Sequence, residues 1–278
     1  MRNILVTGAS SGIGEATVHH LAGLGMRVFA AVRDPVDGEA LRTQAQGAGP
    51  VVPVVLDVRD ETSIARAVDE VRAAVGGEGL AGLVNNAGEG IPGPLEMVDL
   101  AQLREQLEVN VVGQVAVTQA TLSLLRQARG RIVFVGSIGG KAAVPFAGPY
   151  HASKYAIEAI GDCLRQELAP DGLAVAIVEP GPISTGIWDK AVERIDGLLA
   201  RTPEVDRYRE RLLSLRESLQ SADQKGGSPD DVAKVVAKAL TASSPATRYP
   251  VGTAATLASA VKPWVPDKLY DAVVRHAV

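Results

Sequence analysis

The chain has one cysteine, Cys163, so no disulfide can form within it and a thiolate metal site is not expected. Cys163 itself is expected to be a small buried helix residue. The four histidines, His19, His20, His151 and His276, lack ligand spacing, which removes the other common route to a metal centre. Basic residues are not in excess: the formal net charge is −4, so no broad cationic face for nucleic acid is expected. There is no run of about 18 apolar residues, and hence no expected membrane span. Met1-Arg2-Asn3 leads directly into an apolar strand without the parts of a signal peptide, and a cytoplasmic protein is expected. Internal repeats, low-complexity tracts and a long linker are also missing, so residues 1–278 are read as a single domain.

What is there is an ordinary globular composition, 46% hydrophobic and 22% charged over 278 residues, enough for a sizeable core. Short apolar runs alternate with longer amphipathic ones. Strands are predicted over Asn3–Thr7, Arg27–Val32, Val51–Leu56, Leu80–Val84, Arg131–Val135 and Ala174–Val178, and helices over Gly12–Gly25, Asp60–Val75, Leu100–Arg126 and Gly148–Leu168. The alternation implies an α/β fold: a doubly wound, Rossmann-type parallel sheet flanked by helices on both faces. The strands are almost wholly apolar, as expected when both faces are covered. After Pro180 the rhythm changes. Residues 183–227 contain a charged helical segment, Glu204–Leu219, and no strand; they are read as a substrate lid. Ser228 looks like an N-cap with Pro229 at the first helical position, opening a helix to about Leu240. Arg248–Val251 reads as an edge strand that tolerates Pro250. The tail, 253–278, carries Trp264 and Tyr270 and is expected to pack down.

Between the first strand and the first helix lies Thr7-Gly8-Ala9-Ser10-Ser11-Gly12-Ile13-Gly14. Gly8 suits a tight turn, Gly12 a close approach to a pyrophosphate and Gly14 close helix–strand packing. The free N–H groups and the dipole of the new helix then face phosphate.

The TGxxxGxG spacing resembles the short-chain dehydrogenase/reductase family. Asn85-Asn86-Ala87-Gly88 matches its NNAG, and Ser137 ends the fifth strand. Tyr150-His151-Ala152-Ser153-Lys154 matches YxxxK, 13 positions after the serine. Asn110 stands at the helix asparagine, and Pro180-Gly181 with Thr185 matches PGxxxT. The resemblance spans about residues 3–252. Within the family the chain looks like the retinol and hydroxysteroid dehydrogenase-like branch, on the stretches Val178-Glu179-Pro180-Gly181-Pro182-Ile183 and Arg248-Tyr249-Pro250-Val251-Gly252. It implies an oxidoreductase that interconverts a carbonyl and an alcohol. The cofactor is expected on Gly8, Ser10, Ser11, Gly12, Ile13 and Gly14. Further along it meets Arg33, Asp57 and Val58, then Asn86, Ala87 and Gly88, then Tyr150 and Lys154, and finally Pro180, Gly181, Ile183 and Thr185.

Tyr150 and Lys154, four apart, share a helix face. A phenol with a pKa of about 10 is a poor base at neutral pH. A nearby ammonium, and a positive nicotinamide, would favour phenolate, so Tyr150 can exchange a proton with the substrate oxygen. Ser137 is suited to holding that oxygen. The resemblance gives Asn110 a proton-relay water and Lys154 a bond to the nicotinamide ribose. Tyr155 has no lysine four residues on, and His151 is expected to face away from Tyr150.

Arg33, 19 positions after Gly14, follows the second strand, where arginine accommodates the 2′-phosphate of NADP(H) and an acid would bond the ribose of NAD(H). NADP(H) is therefore favoured, with Asp34 as the alternative ribose ligand in an NAD(H)-preferring enzyme. A non-catalytic nicotinamide sensor and an epimerase-like enzyme are the readings from other classes. Ile183, Ile187, Trp188 and Leu198 are expected to line an apolar pocket with Ser137 and Tyr150, for a lipophilic ketone or secondary alcohol. The resemblance also implies a homodimer or homotetramer pairing through the helices over Leu100–Arg126 and Gly148–Leu168, with Ala120, Leu124, Ala159 and Cys163 outside the monomer core.

Overall fold

Six of the seven expected strands begin at the expected residue, and the fourth begins at Gly82 rather than Leu80; the central runs are buried on both sides and cannot shift without exposing apolar surface. A computed structural model describes residues 1–201 and 205–277. In chain order the elements are β1 (Asn3–Thr7), α1 (Gly12–Gly23), β2 (Arg27–Val32), α2 (Pro35–Gln44), β3 (Val51–Val55) and α3 (Glu61–Val75). There follow β4 (Gly82–Asn85), α4 (Leu100–Leu107), α5 (Gly113–Ala128), β5 (Arg131–Val135), α6 (Gly148–Glu167) and β6 (Ala174–Pro180). The chain ends with α7 (Ile187–Leu199), α8 (Arg209–Lys225), α9 (Pro229–Thr241), β7 (Arg248–Val251), α10 (Thr253–Val261) and α11 (Asp267–Ala277).

All seven strands are parallel, in the order β3-β2-β1-β4-β5-β6-β7. Because side chains alternate along a strand, Ile4 and Val6 point to one face and Leu5 to the other. The first face packs Val18 and Leu21 of α1 with Val232 and Val236 of α9. The second packs Ile64, Val68 and Val71 of α3 with Leu125 of α5 and Ile157 of α6. The chain winds outward from β1 to β3, then returns to the other side of β1 with β4. That reversal opens a crevice at the carboxyl ends of the strands, the usual ligand position in such sheets.

Several expectations are corrected. A helix, α2, stands where none was expected. The Asp34 side chain caps it, accepting from Val36 N at 2.9 Å, with Pro35 at its first position. The helix expected over Leu100–Arg126 is present and runs on to Ala128, but a π turn, Glu108–Val112, lies within it between α4 and α5. The lid contains two helices, α7 and α8, rather than one; the expected start at Glu204 lies outside the described residues, as does Val278 of the tail. Leu124 is 3% exposed and belongs to the monomer core, whereas Cys163 is exposed rather than buried. Trp264 is not packed down but 85% exposed. Tyr270 is held, its hydroxyl donating to Ala143 O at 2.9 Å. No helix among the described residues is long and apolar enough to cross a membrane.

Candidate active site

The glycine turn is built so that side chains cannot enter it. Gly8 lies at φ +62°, and a Cβ there would sit 2.7 Å from Ala87 Cα. A Cβ on Gly14 would sit 2.1 Å from Gly8 O, so the first helix can close on the strand only through glycine. Ser11, extended at the N-cap, supplies no side-chain cap, so the first-turn N–H groups of α1 stay open for an anion. Ser10 and Ser11 are exposed and Ile13 packs against the core. Thr185 lies over the turn, its methyl 3.0 Å from where a Gly12 Cβ would be.

Thr7 and Asn86 hold this turn together. The backbone N–H groups of Asn86 and Ala87 donate to Thr7 Oγ1 at 3.0 and 3.1 Å. The Asn86 amide donates to Thr7 O and Gly8 O at 3.0 and 2.9 Å. Asn86, expected at the cofactor, therefore braces the turn that would hold it. Thr7 opens the glycine motif, but its bracing role rests on partners 77 to 80 positions away.

The next group sits at the ends of β4 and β5 and the start of α6. Ser137 Oγ accepts from Gly139 N at 3.0 Å, which fixes the turn after β5. Gly139 slots between two rings: a Cβ there would meet His151 Nδ1 at 2.7 Å and Tyr150 Cε1 at 3.2 Å. His151, in the Nδ1–H tautomer, donates to Gly139 O at 2.9 Å, and its ring meets Tyr150 edge-on with centroids 5.8 Å apart. It does not face away from Tyr150, because the turn after Ser137 passes between both side chains in the first turn of α6. Burial lowers the His151 pKa, and the Gly139 hydrogen bond opposes this.

Burial pushes the Tyr150 phenol above its ordinary value, opposed by a hydrogen-bonding contact with Ser137. The lowered phenol expected from a neighbouring ammonium is not what the free site presents. Lys154 Nζ lies 5.7 Å from the Tyr150 ring centroid and donates instead to Val135 O at 2.9 Å. Burial pulls Lys154 down to about 8, with the Glu158 carboxylate opposing.

Asn110 lies in the π turn, fully buried. Its amide donates to Glu89 O at 2.9 Å and Ser153 Oγ at 3.0 Å, and its Oδ1 accepts from Glu89 N at 2.9 Å. Ser153 in turn donates to Tyr150 O at 2.7 Å, so Asn110 is tied to the tyrosine helix through one hydroxyl. Gly88 lies beside Asn110. Gln106, which sequence reasoning missed, completes the loop: it accepts from Ile91 N and donates to Glu89 O, both at 2.7 Å. Arg194 of α7 closes the same loop, donating to Gly90 O at 3.0 Å and to Glu89 Oε2 at 3.3 Å.

The expected pocket residues separate. A Cβ on Gly90 would lie 3.8 Å from Tyr150 Cδ2 and 3.9 Å from Ile187 Cδ1, so both side chains border the same glycine. Ile183 is 5% exposed and packs in the core. Trp188 donates from its indole to Ile183 O at 2.5 Å. Leu198 packs with Ile195, Val205 and Leu212 in a separate lid cluster. Pro180 ends β6, and Gly181 N donates to Val251 O at 3.0 Å.

After β2, Arg33 is exposed and makes no ion pair among the described residues. It nevertheless acts on Asp57, which Arg59 holds at 2.7 Å and draws below the usual carboxylate range, with Arg33 adding to the effect. The Val58 side chain is buried in the core, leaving its backbone for any contact there. Open helix N–H groups, a cradle that a Cβ would fill and an unpaired guanidinium fit a phosphorylated dinucleotide.

Residues 2–196 match the family model described as short chain dehydrogenase. The chain belongs to the short-chain dehydrogenase/reductase family, in the retinol and hydroxysteroid dehydrogenase-like branch, and is an oxidoreductase acting on CH–OH and C=O groups. It is 35% identical over 279 residues to an NADPH-dependent 3-dehydrocapnine reductase of Ornithobacterium rhinotracheale, covering 98% of this chain and 96% of that protein. It is 34% identical over 285 residues to retinol dehydrogenase 7 of Rattus norvegicus, covering 98% and 87%. Among solved structures, a short-chain dehydrogenase from Streptomyces avermitilis superposes with a TM-score of 0.77 at 28% identity, over 92% of this chain and 90% of that one.

Proposed function

We propose that this protein is an NADP(H)-dependent enzyme interconverting a lipophilic ketone and a secondary alcohol, with Tyr150 as proton donor and acceptor. The observation that carries the reading is the meeting of Ser137, Tyr150 and Lys154 at the carboxyl end of β5, in the crevice that the glycine turn also borders. The bound nicotinamide would supply or accept the hydride. Ser137 and Tyr150 hold the substrate oxygen, and the phenol gives it a proton in reduction or takes one in oxidation. A phenol raised by burial keeps its proton at neutral pH, and that proton is the one reduction requires. Lys154, an ammonium below about pH 8, favours phenolate and supports the reverse.

Arg33 would meet the 2′-phosphate of NADP(H). Asp34, the alternative ribose ligand, is engaged in capping α2, which favours Arg33. Residues 183–227 form the substrate lid, with Ile187 as its apolar contact beside Tyr150. The subunits form a homodimer or homotetramer through α5 and α6, whose Ala159 and Cys163 are exposed. A panel of carbonyl compounds assayed for NADPH consumption tests the function. Stoichiometric consumption with a lipophilic ketone is expected; binding without consumption would instead indicate a sensor, and product formation without net consumption an epimerase.

A further inference from the structure

The two stretches that place this chain in its branch each carry a charged residue, Glu179 and Arg248, and the mechanism uses neither. They meet behind the active site. Glu179 on β6 is 1% exposed and lies 3.3 Å from Arg248 Nε on β7. Arg248 also reaches Glu158 at 2.9 Å and Asp162 at 2.7 Å, both on α6. Lys141, four residues after Ser137, pairs with Glu158 at 2.7 Å and Glu179 at 3.5 Å. Ser259 of α10 donates to Glu179 at 3.2 Å.

Asp162 also pairs with Arg165 at 3.1 Å, so three carboxylates face three cations, of which Lys141 and Arg248 reach Glu158. These two cations use Glu158 Oε2, leaving Oε1 buried with no hydrogen-bond partner. The remaining positive charge is Lys154, one helical turn before Glu158 on the same face of α6. Its own surroundings supply only the neutral Val135 carbonyl on β5 and the Tyr150 ring. Buried ion clusters of this kind add little stability over apolar packing, so their position behind an active-site lysine calls for another role.

We propose that Glu158 is a positioning residue whose carboxylate is the counter-charge that keeps Lys154 an ammonium at neutral pH, with Lys141 and Arg248 setting how much of that charge Lys154 receives. The inference rests on the reading of Tyr150 and Lys154 given above. Burial alone draws Lys154 down, and Glu158 is the one charged group that opposes it. Lys141, at the end of the turn that follows Ser137, ties that turn to Glu158 and Glu179.

The test uses Glu158→Gln, which keeps the shape and removes the charge, and Lys141→Met, which removes a competing cation. Two quantities are read: the pH profile of kcat for alcohol oxidation, and the titration of Lys154 followed by NMR in lysine-labelled protein. Glu158→Gln is expected to lower the Lys154 midpoint by about one pH unit and to move the rising limb of the profile to higher pH. Lys141→Met is expected to move both the opposite way. Glu158→Asp keeps the charge and should restore the wild-type limb, so a Gln variant that fails to fold does not end the test. An unshifted profile and an unshifted Lys154 titration in Glu158→Gln, or shifts of the same sign in both variants, overturn the proposal. If Tyr150→Phe is inactive while Glu158→Gln leaves the profile unshifted, only this inference fails; full activity in Tyr150→Phe removes the reading beneath it.

Discussion

Lys154 Nζ donates a 2.9 Å hydrogen bond to the carbonyl oxygen of Val135, two residues before Ser137, and so is drawn toward β5 rather than toward the phenol of Tyr150. The bond joins the two elements that carry the site, α6 and β5. It also holds a charge in a buried place, where Lys154 is 6% exposed and its pKa falls to about 8.

This depressed value has a stability consequence. Below pH 8 the lysine is protonated in both the folded and unfolded chain, and the cost of burying it is fully present. Between about 8 and 10.5 the folded protein has released a proton that the unfolded chain still binds, so this group's contribution to stability rises with pH. The shift corresponds to about 3 kcal/mol, offset by about 1 kcal/mol for the lost Val135 hydrogen bond. Lys154→Met should therefore be more stable than wild type at pH 7 by about 1–2 kcal/mol, with the gain disappearing toward pH 10. Urea denaturation at both pH values checks it; a variant equally destabilised at both would contradict the buried-charge account.

Arg33→Ala should abolish most of a preference for NADPH over NADH. A charge-assisted bond to phosphate contributes roughly 1.5–3 kcal/mol, and the exposed position of Arg33 keeps the effect near the lower end. The expected preference is at least about tenfold in kcat/KM for wild type. NADH activity should survive, and added salt should weaken NADPH more than NADH. Wild-type preference for NADH would return the ribose to Asp34.

Gly14→Ala tests the turn. Its Cβ would meet Gly8 O at 2.1 Å and the Asn86 amide nitrogen at 2.6 Å, and neither the backbone nor the braced amide can yield cheaply. A loss of at least about 2 kcal/mol of stability is expected, together with loss of cofactor binding measured by nucleotide fluorescence. A variant that binds NADPH as wild type does would show that the turn is not the phosphate cradle.

The parts legible in the sequence are those whose physics is local. Gly8, Gly12 and Gly14 declare a turn by their spacing, and Tyr150 and Lys154 declare a shared helix face by being four apart. Parts that depend on distant partners were not legible. Helix α2 is short and polar, and its Gly38 fits beneath Pro53 of the neighbouring strand, where a Cβ would come within 2.7 Å. The π turn at Asn110 leaves the apolar rhythm of one long helix unbroken. Ile183 stands in a stretch as apolar as Ile187, and its burial goes with a bridge to Gly227, a distant partner. Gln106 acts through backbone groups that no sequence pattern marks.

Tyr150→Phe keeps the ring and its contacts with His151 and Gly139 and removes only the proton. Loss of a positioned general acid costs about 10²–10⁴-fold in rate, while cofactor affinity, which this reading assigns to the glycine turn, Arg33 and Lys154, should change little. The most direct measurement is kcat of wild type and Tyr150→Phe for NADPH-driven reduction of the same ketone, with the NADPH dissociation constant of each. The account predicts a fall in kcat within that range at unchanged NADPH affinity; near-wild-type turnover in the phenylalanine variant would contradict it.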